Sequence, residues 1–146
     1  MKTSPRHTNT SRSGEVNPVW TVGYSGRDRG EFIDLLRKHD IQLVVDVRRF
    51  PTSKKPDFCK ENLERWLKEE GVNYVWLGET LGGYRRGGYK KYVDSEVFKQ
   101  GVEEVLRLAR QYRLAIMCME RKVKYCHRRF IAGELRRRGV QVHDIE

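Results

Sequence analysis

The 146-residue chain has no long apolar run: its longest uninterrupted stretch, Leu114 to Met119, is six residues, against the roughly 20 needed to cross a membrane as a helix. It is poor in cysteine as well. Cys59, Cys118 and Cys126 are an odd set of three, which argues against a disulfide-built secreted scaffold. With no secretory leader pattern, the expectation is a cytoplasmic protein that does not touch membranes. Acidic residues are outnumbered, 20 Asp and Glu against 30 Lys and Arg, for a formal charge of +10. That excess suits a polyanionic partner, the plainer alternative being solubility alone. The chain also lacks the dinucleotide-binding glycine fingerprint, the phosphate-binding P-loop, a Cys-x-x-Cys redox pair, a phosphatase loop and a haem attachment motif.

What is present fits one domain with one core. Residues 1–18 are rich in Ser, Thr, Asn and basic residues and read as a flexible basic tail, either a nucleic-acid arm or an unconstrained leader. From 19 to 146 the pattern alternates. Val19 to Val22 is a short apolar strand, and a glycine loop follows it. Asp28 and Glu31 have capping-box spacing before a helix with Phe32, Leu35, Leu36 and His39 on its inner stripe. Gln42 to Val47 is a second strand. Pro51 and Pro56 keep the chain extended until a helix starts near Cys59 or Lys60, with Leu63, Trp66 and Leu67 inward and Gly71 behind it.

Val72 to Leu77 is the third strand. Asp94 or Ser95 caps a helix with Phe98, Val102, Val105, Leu106 and Ala109 on one face. Leu114 to Met117 is the fourth strand, a helix spans about Tyr125 to Arg138, and Val140 to Ile145 is the fifth strand. Strand and helix alternating this way predicts a single α/β domain: a mostly parallel five-stranded sheet with helices on both faces, in a Rossmann-like three-layer arrangement.

In a parallel sheet every strand exit lies on one edge, so residues far apart in sequence are expected to meet at a crevice there. Gly23, Tyr24, Ser25 and Arg27 open a helix and can receive an anion, although a turn needing glycine explains the glycines equally well. Asp46 and Arg48 leave the second strand. Between Gly78 and Tyr92 lies a loop with four further glycines, three tyrosines and the cations Arg85, Arg86, Lys90 and Lys91, suited to stacking on bases and meeting phosphates.

The densest group follows the fourth strand: Cys118, Glu120, Cys126, His127 and Arg128. A thiolate at Cys126 would be favoured by a helix N-terminus and by Arg128 and Arg129, which makes it a candidate nucleophile. Glu120, His127 or Asp46 can move a proton. The thiols can equally be small buried apolar groups. A zinc site from Cys118, Cys126 and His127, with a fourth ligand such as Glu120 or Cys59, is the third reading, but the spacing departs from paired-cysteine knuckles and adjacent helical residues aim apart, so no metal ligand is assigned and no cofactor is inferred.

Five motifs in order, Thr-Val-Gly-Tyr-Ser-Gly-Arg (21–27), Val-Asp-Val-Arg-x-x-Pro (45–51), Leu-Gly-x-x-Leu-Gly-Gly (77–83), Met-Cys-x-Glu (117–120) and Cys-His-Arg (126–128), together resemble domain-of-unknown-function family 488. The resemblance runs from about Trp20 to Ile145. It implies a compact α/β domain of bacteria and archaea, with Gly23, Tyr24, Ser25, Asp46, Arg48, Pro51, Cys118, Glu120, Cys126, His127 and Arg128 as its motif residues, and no particular reaction. Arg121, Lys122 and Lys124 make the bend before Cys126 more cationic than relatives are expected to be.

Three functions remain open on the sequence. The leading one binds and processes a phosphate-bearing substrate, nucleic acid ahead of free nucleotide, with Arg48 and Arg128 clamping the anion. The second is a nucleic-acid-binding module without catalysis, and the third a thiol- or metal-dependent enzyme acting on a small metabolite.

Overall fold

The computed structural model describes residues 15–146. Five strands, β1 (Val19–Gly23), β2 (Leu43–Asp46), β3 (Asn73–Trp76), β4 (Leu114–Cys118) and β5 (Val142–Ile145), form one sheet in the order β3-β2-β4-β1-β5. All four pairings are parallel. The helices are α1 (Arg29–Lys38), α2 (Lys60–Glu69), the single turns α3 (Gly78–Leu81) and α4 (Tyr89–Tyr92), α5 (Glu96–Ala109) and α6 (Arg128–Arg137). The expected α/β architecture is therefore the observed one.

The strand residues alternate between two cores. Val19, Leu43, Val45, Leu114, Ile116 and Cys118 pack with α5 and α6, whereas Trp20, Val22, Val44, Ala115 and Met117 pack with α1 and α2. Connections running toward β3 thus cross one face and those running toward β5 cross the other, as right-handed crossovers require. β4 lies between β2 and β1, and its exit turns to the α5/α6 face while its neighbours' exits turn to the α1/α2 face. That divergence is where open α/β sheets leave a crevice.

Local signals set the helix ends. Asp28 accepts from the Glu31 amide while Glu31 accepts from the Asp28 amide, a complete capping box. Ser95 accepts from the Phe98 amide at the head of α5. Gly71 and Gly139 follow α2 and α6 with φ of 82° and 87°, as glycines after a helix should.

Two expectations need correction, and a third meets the described residues only at its end. The inner stripe of α1 is Phe32, Ile33 and Leu36, which pack against Phe58 and Trp66; Leu35 and His39 are only half-buried. The basic tail falls mostly outside the described residues, but its last part is packed. Asn17 is buried, with its amide on Ala109 O and its side chain on Ala109 O and Tyr112 O. The last helix starts at Arg128; a 3-10 turn at Val123–Tyr125 precedes it, leaving Cys126 and His127 outside the helix.

The Gly78–Tyr92 stretch is not a loose loop either. The hydroxyls of Tyr89 and Tyr92 donate to Leu81 O and Thr80 O, and α3 rests on α5 through Gly101. A Cβ at Gly101 would stand 2.7 Å from Leu81 and Thr80 side-chain atoms. Gly101→Val is therefore expected to cost about 1–3 kcal/mol of stability, read as a lower urea midpoint with an unchanged slope.

Candidate functional site

Strand exits meet along the carboxyl edge of the sheet, but the side chains they carry separate onto its two faces. On the α1/α2 face the centre is Asp46, fully buried at the end of β2. Arg48 donates its Nε and NH2 to the two Asp46 oxygens at 2.9 and 2.8 Å and its NH1 to Phe58 O at 2.7 Å. Tyr74 donates to Asp46 Oδ2 at 2.5 Å, and the Arg48 guanidinium lies 5.4 Å from the Tyr24 ring centre, which is itself stacked on Phe58.

Burial opposes charge on Arg48, but the Asp46 hydrogen bonds and attraction outweigh it, so its pKa is raised. Burial first, then the Asp46 charge, raises that of Tyr74. Asp46 and Arg48 saturate each other. As oriented here the pair ties the loop after β2 to the Pro56–Phe58 turn, with the Arg48 guanidinium directed at Asp46 and Phe58 O.

Gly23, Tyr24, Ser25 and Arg27 are likewise engaged. The amides of Tyr24 and Ser25 donate to Cys118 O and Met119 O, which extends the β1–β4 ladder past the strands. A Cβ on Gly23 would collide with the Glu120 carbonyl, so this glycine serves close backbone approach. Gly26, at φ 76°, serves the turn. Arg27 donates to Gly23 O and Glu146 O, and burial, then Arg121, lowers its pKa.

Arg128 is fully buried and, among the described residues, has no carboxylate in hydrogen-bonding contact. Its NH1 donates to Thr21 Oγ1 at 3.0 Å, and its NH2 to Glu120 O at 2.6 Å and Arg121 O at 3.1 Å, while Nε has no partner among the described residues. Thr21 in turn donates to Asp144 Oδ1 at 2.6 Å. Desolvation lowers the Arg128 pKa to about 10, with Asp144, Glu146 and Glu120 opposing it. Arg128 thus folds the segment after β4 back over the start of α6. Glu120 is half-buried near this cation.

The α5/α6 face holds the group that the bend creates. Cys118 and Cys126, 3% and 6% exposed, are joined sulfur to sulfur, with Cα atoms 7.8 Å apart. The Arg128 amide donates to Cys126 Sγ at 3.4 Å. His127 Nε2 lies 2.9 Å from Val47 O, and its Nδ1 is 3.8 Å from Cys126 Sγ. Because a carbonyl only accepts, Nε2 carries the proton and Nδ1 presents its lone pair. Burial lowers the His127 pKa, partly offset by the Val47 bond, so the imidazole is neutral at pH 7. The Tyr89 ring packs 5.1 Å from it.

Of the predicted cations in the glycine-tyrosine segment, Arg85 is turned inward. It donates to Gly82 O, Gly78 O and Glu79 O and lies over the Tyr92 ring at 4.3 Å. Arg86 is exposed. Sequence reasoning overlooked Phe50, which touches Tyr84 from a neighbouring loop; an aromatic just before Pro51 in a basic stretch was the available signal.

The family described as Domain of unknown function DUF488 matches residues 28–135. The chain belongs to that family. No curated protein and no solved structure matches it. Within this DUF488 domain the matched span includes Asp46, Arg48, Cys118, Glu120, Cys126, His127 and Arg128 but stops short of the Gly23–Ser25 turn.

Removing one partner of the buried pair strands the other, so Asp46→Asn is expected to destabilise by about 3–5 kcal/mol. Asp46→Leu combined with Arg48→Met should cost less than the two single changes added together, as measured by chemical denaturation.

Proposed function

We propose that this DUF488 protein binds single-stranded nucleic acid across the carboxyl rim of its sheet. The observation that carries the reading is an aromatic pair in the open: Phe50 and Tyr84, 62% and 84% exposed, with ring centres 5.9 Å apart. They come from the loops after β2 and β3, and Arg49 joins them by donating to Tyr84 O and lying over the Phe50 ring. From the exit of the adjacent β4 come Tyr125, 66% exposed with Lys124 over its ring, and Met119.

Large apolar side chains left in water at one edge mark a contact surface. Aromatic rings set among cations match the requirements of unpaired bases and their phosphates. The exposed cations Lys54, Arg86, Lys90, Lys91, Lys122 and Lys124 lie on the same exits. Of the three tyrosines in the glycine-rich segment, Tyr84 alone faces outward, which narrows the stacking platform to it and Phe50.

A binding module is favoured over a nucleophilic enzyme by the burial of Cys126, which is 6% exposed. Attack on a substrate needs a free, accessible thiolate. The hydrogen bonds of Arg48 and Arg128 run to Asp46, Thr21 and backbone carbonyls inside the fold, so this reading gives the phosphate contacts to the exposed cations of the rim.

Fluorescence anisotropy with a labelled single-stranded oligonucleotide tests the reading. Affinity should fall linearly with salt on a log–log scale. Phe50→Ala and Tyr84→Ala should each weaken binding about 5- to 150-fold, the range expected when one base loses its stacking partner. Arg86, Lys90 and Lys91 replaced together by alanine should reduce the salt slope by about 0.7 for each phosphate no longer neutralised. Binding that is undetectable at low salt, or unchanged by salt, overturns the proposal.

A further inference from the structure

Cys118, Cys126 and His127 come from the end of β4 and the turn before α6, and the two sulfurs and one ring nitrogen they offer all lie within 4.8 Å of one another. We infer that these three side chains form a zinc site, Cys118 Sγ, Cys126 Sγ and His127 Nδ1 being its protein ligands and a solvent or substrate atom its fourth. This inference is independent of the nucleic-acid reading, since none of the three ligands belongs to the aromatic rim.

Four features of the surroundings support it. His127 is held the way metal-binding histidines are held: its Nε2–H is anchored on the Val47 carbonyl, which fixes the ring and leaves the Nδ1 lone pair aimed toward Cys126. Gly83 stands beside that nitrogen and places no side chain against it, where a Cβ would come to 3.4 Å from Nδ1. The Arg128 amide donates to Cys126 Sγ, a bond that favours the thiolate a metal needs.

The backbone span is the fourth feature. A relaxed disulfide brings its Cα atoms to about 4.4–6.8 Å, and the 7.8 Å between Cys118 and Cys126 exceeds it. Two thiolates on one tetrahedral zinc sit about 3.8 Å apart instead of the roughly 2.05 Å of a disulfide bond, which lengthens the span by about 1.7 Å. The observed separation suits the metal-bridged pair.

Adjacency counts against zinc only if Cys126 and His127 are consecutive helical residues. They are not. Cys126 has extended backbone angles and His127 is the residue preceding α6, so their side chains need not diverge by a helical step. Among the described residues no fourth His, Cys, Asp or Glu joins the cluster, which leaves one coordination position open, as in zinc sites that do chemistry.

Zinc binds the reduced pair. Starting from the joined sulfurs, a phosphine reductant opens the S–S bond to two thiols, becoming phosphine oxide with the oxygen of water. Zinc then displaces the two thiol protons to solvent, and the neutral imidazole loses none.

The test uses the full chain, reduced with a phosphine and kept free of chelators. Elemental analysis is expected to find one zinc per chain. Titration with Co2+ is expected to give the strong near-ultraviolet thiolate-to-cobalt absorption and the visible bands of a tetrahedral ion. Cys118→Ser, Cys126→Ser and His127→Gln should each weaken Co2+ binding by more than about 100-fold, beyond what loss of a supporting hydrogen bond does. Cys59→Ser should leave binding unchanged. Circular dichroism checks that each variant folds, and the titration of the unmutated chain stands even if one does not. The inference is overturned if the fully reduced chain takes up no stoichiometric metal, if His127→Gln or Cys126→Ser binds as well as the original, or if thiol counting under denaturing conditions finds Cys118 and Cys126 still linked after reductant treatment.

Discussion

A guanidinium without exposed surface holds the segment after β4 in place. Arg128 reaches from the first residue of α6 to the carbonyls of Glu120 and Arg121 and to Thr21 in β1, so helix, loop and sheet are fastened by one side chain. The geometry needs a planar fork with several donors, which lysine does not have. It also needs a buried charge to survive on neutral oxygens, with Asp144 one hydrogen bond further away, and the lowered pKa of Arg128 registers that cost. Much follows from this fastening. The carbonyl of Glu120 is pressed against Gly23, where no side chain fits, and Cys126 is returned to within reach of Cys118.

The rim is thus shared by all strand exits but divided by the sheet. Alternation along β2 sends Asp46 toward α1 and α2, where Arg48, Tyr24 and Tyr74 complete a saturated polar cluster. Alternation along β4 sends Cys118 the other way, toward Cys126, His127 and Tyr89. Above both, in solvent, stand Phe50 and Tyr84. Three layers of chemistry result at one edge: a structural ion pair, a thiol–imidazole cluster and an aromatic, cationic surface.

Much of this was readable from residues alone. The capping box at Asp28 and Glu31, the cap at Ser95, the glycines at 71 and 139 and the apolar strands are local signals, and each acts where it is written. The roles of the charged motif residues were less legible. Arg48 and Arg85 look like anion ligands in a sequence because their partners are backbone carbonyls or a carboxylate whose orientation depends on packing. Tyr89 and Tyr92 look like stacking platforms for the same reason, yet their hydroxyls are drawn inward by Leu81 and Thr80 carbonyls.

By itself, then, the sequence determined the alternation of strands and helices, their parallel arrangement and the gathering of its motifs on one edge, because periodicity, caps and crossover handedness are short-range or topological constraints. Which side chains face one another there was decided only by the tertiary structure. The unwound turn at Cys126 and His127 and the inward swing of Arg85 and Arg128 depend on buried donors finding acceptors from distant segments, and no local pattern encodes those partners.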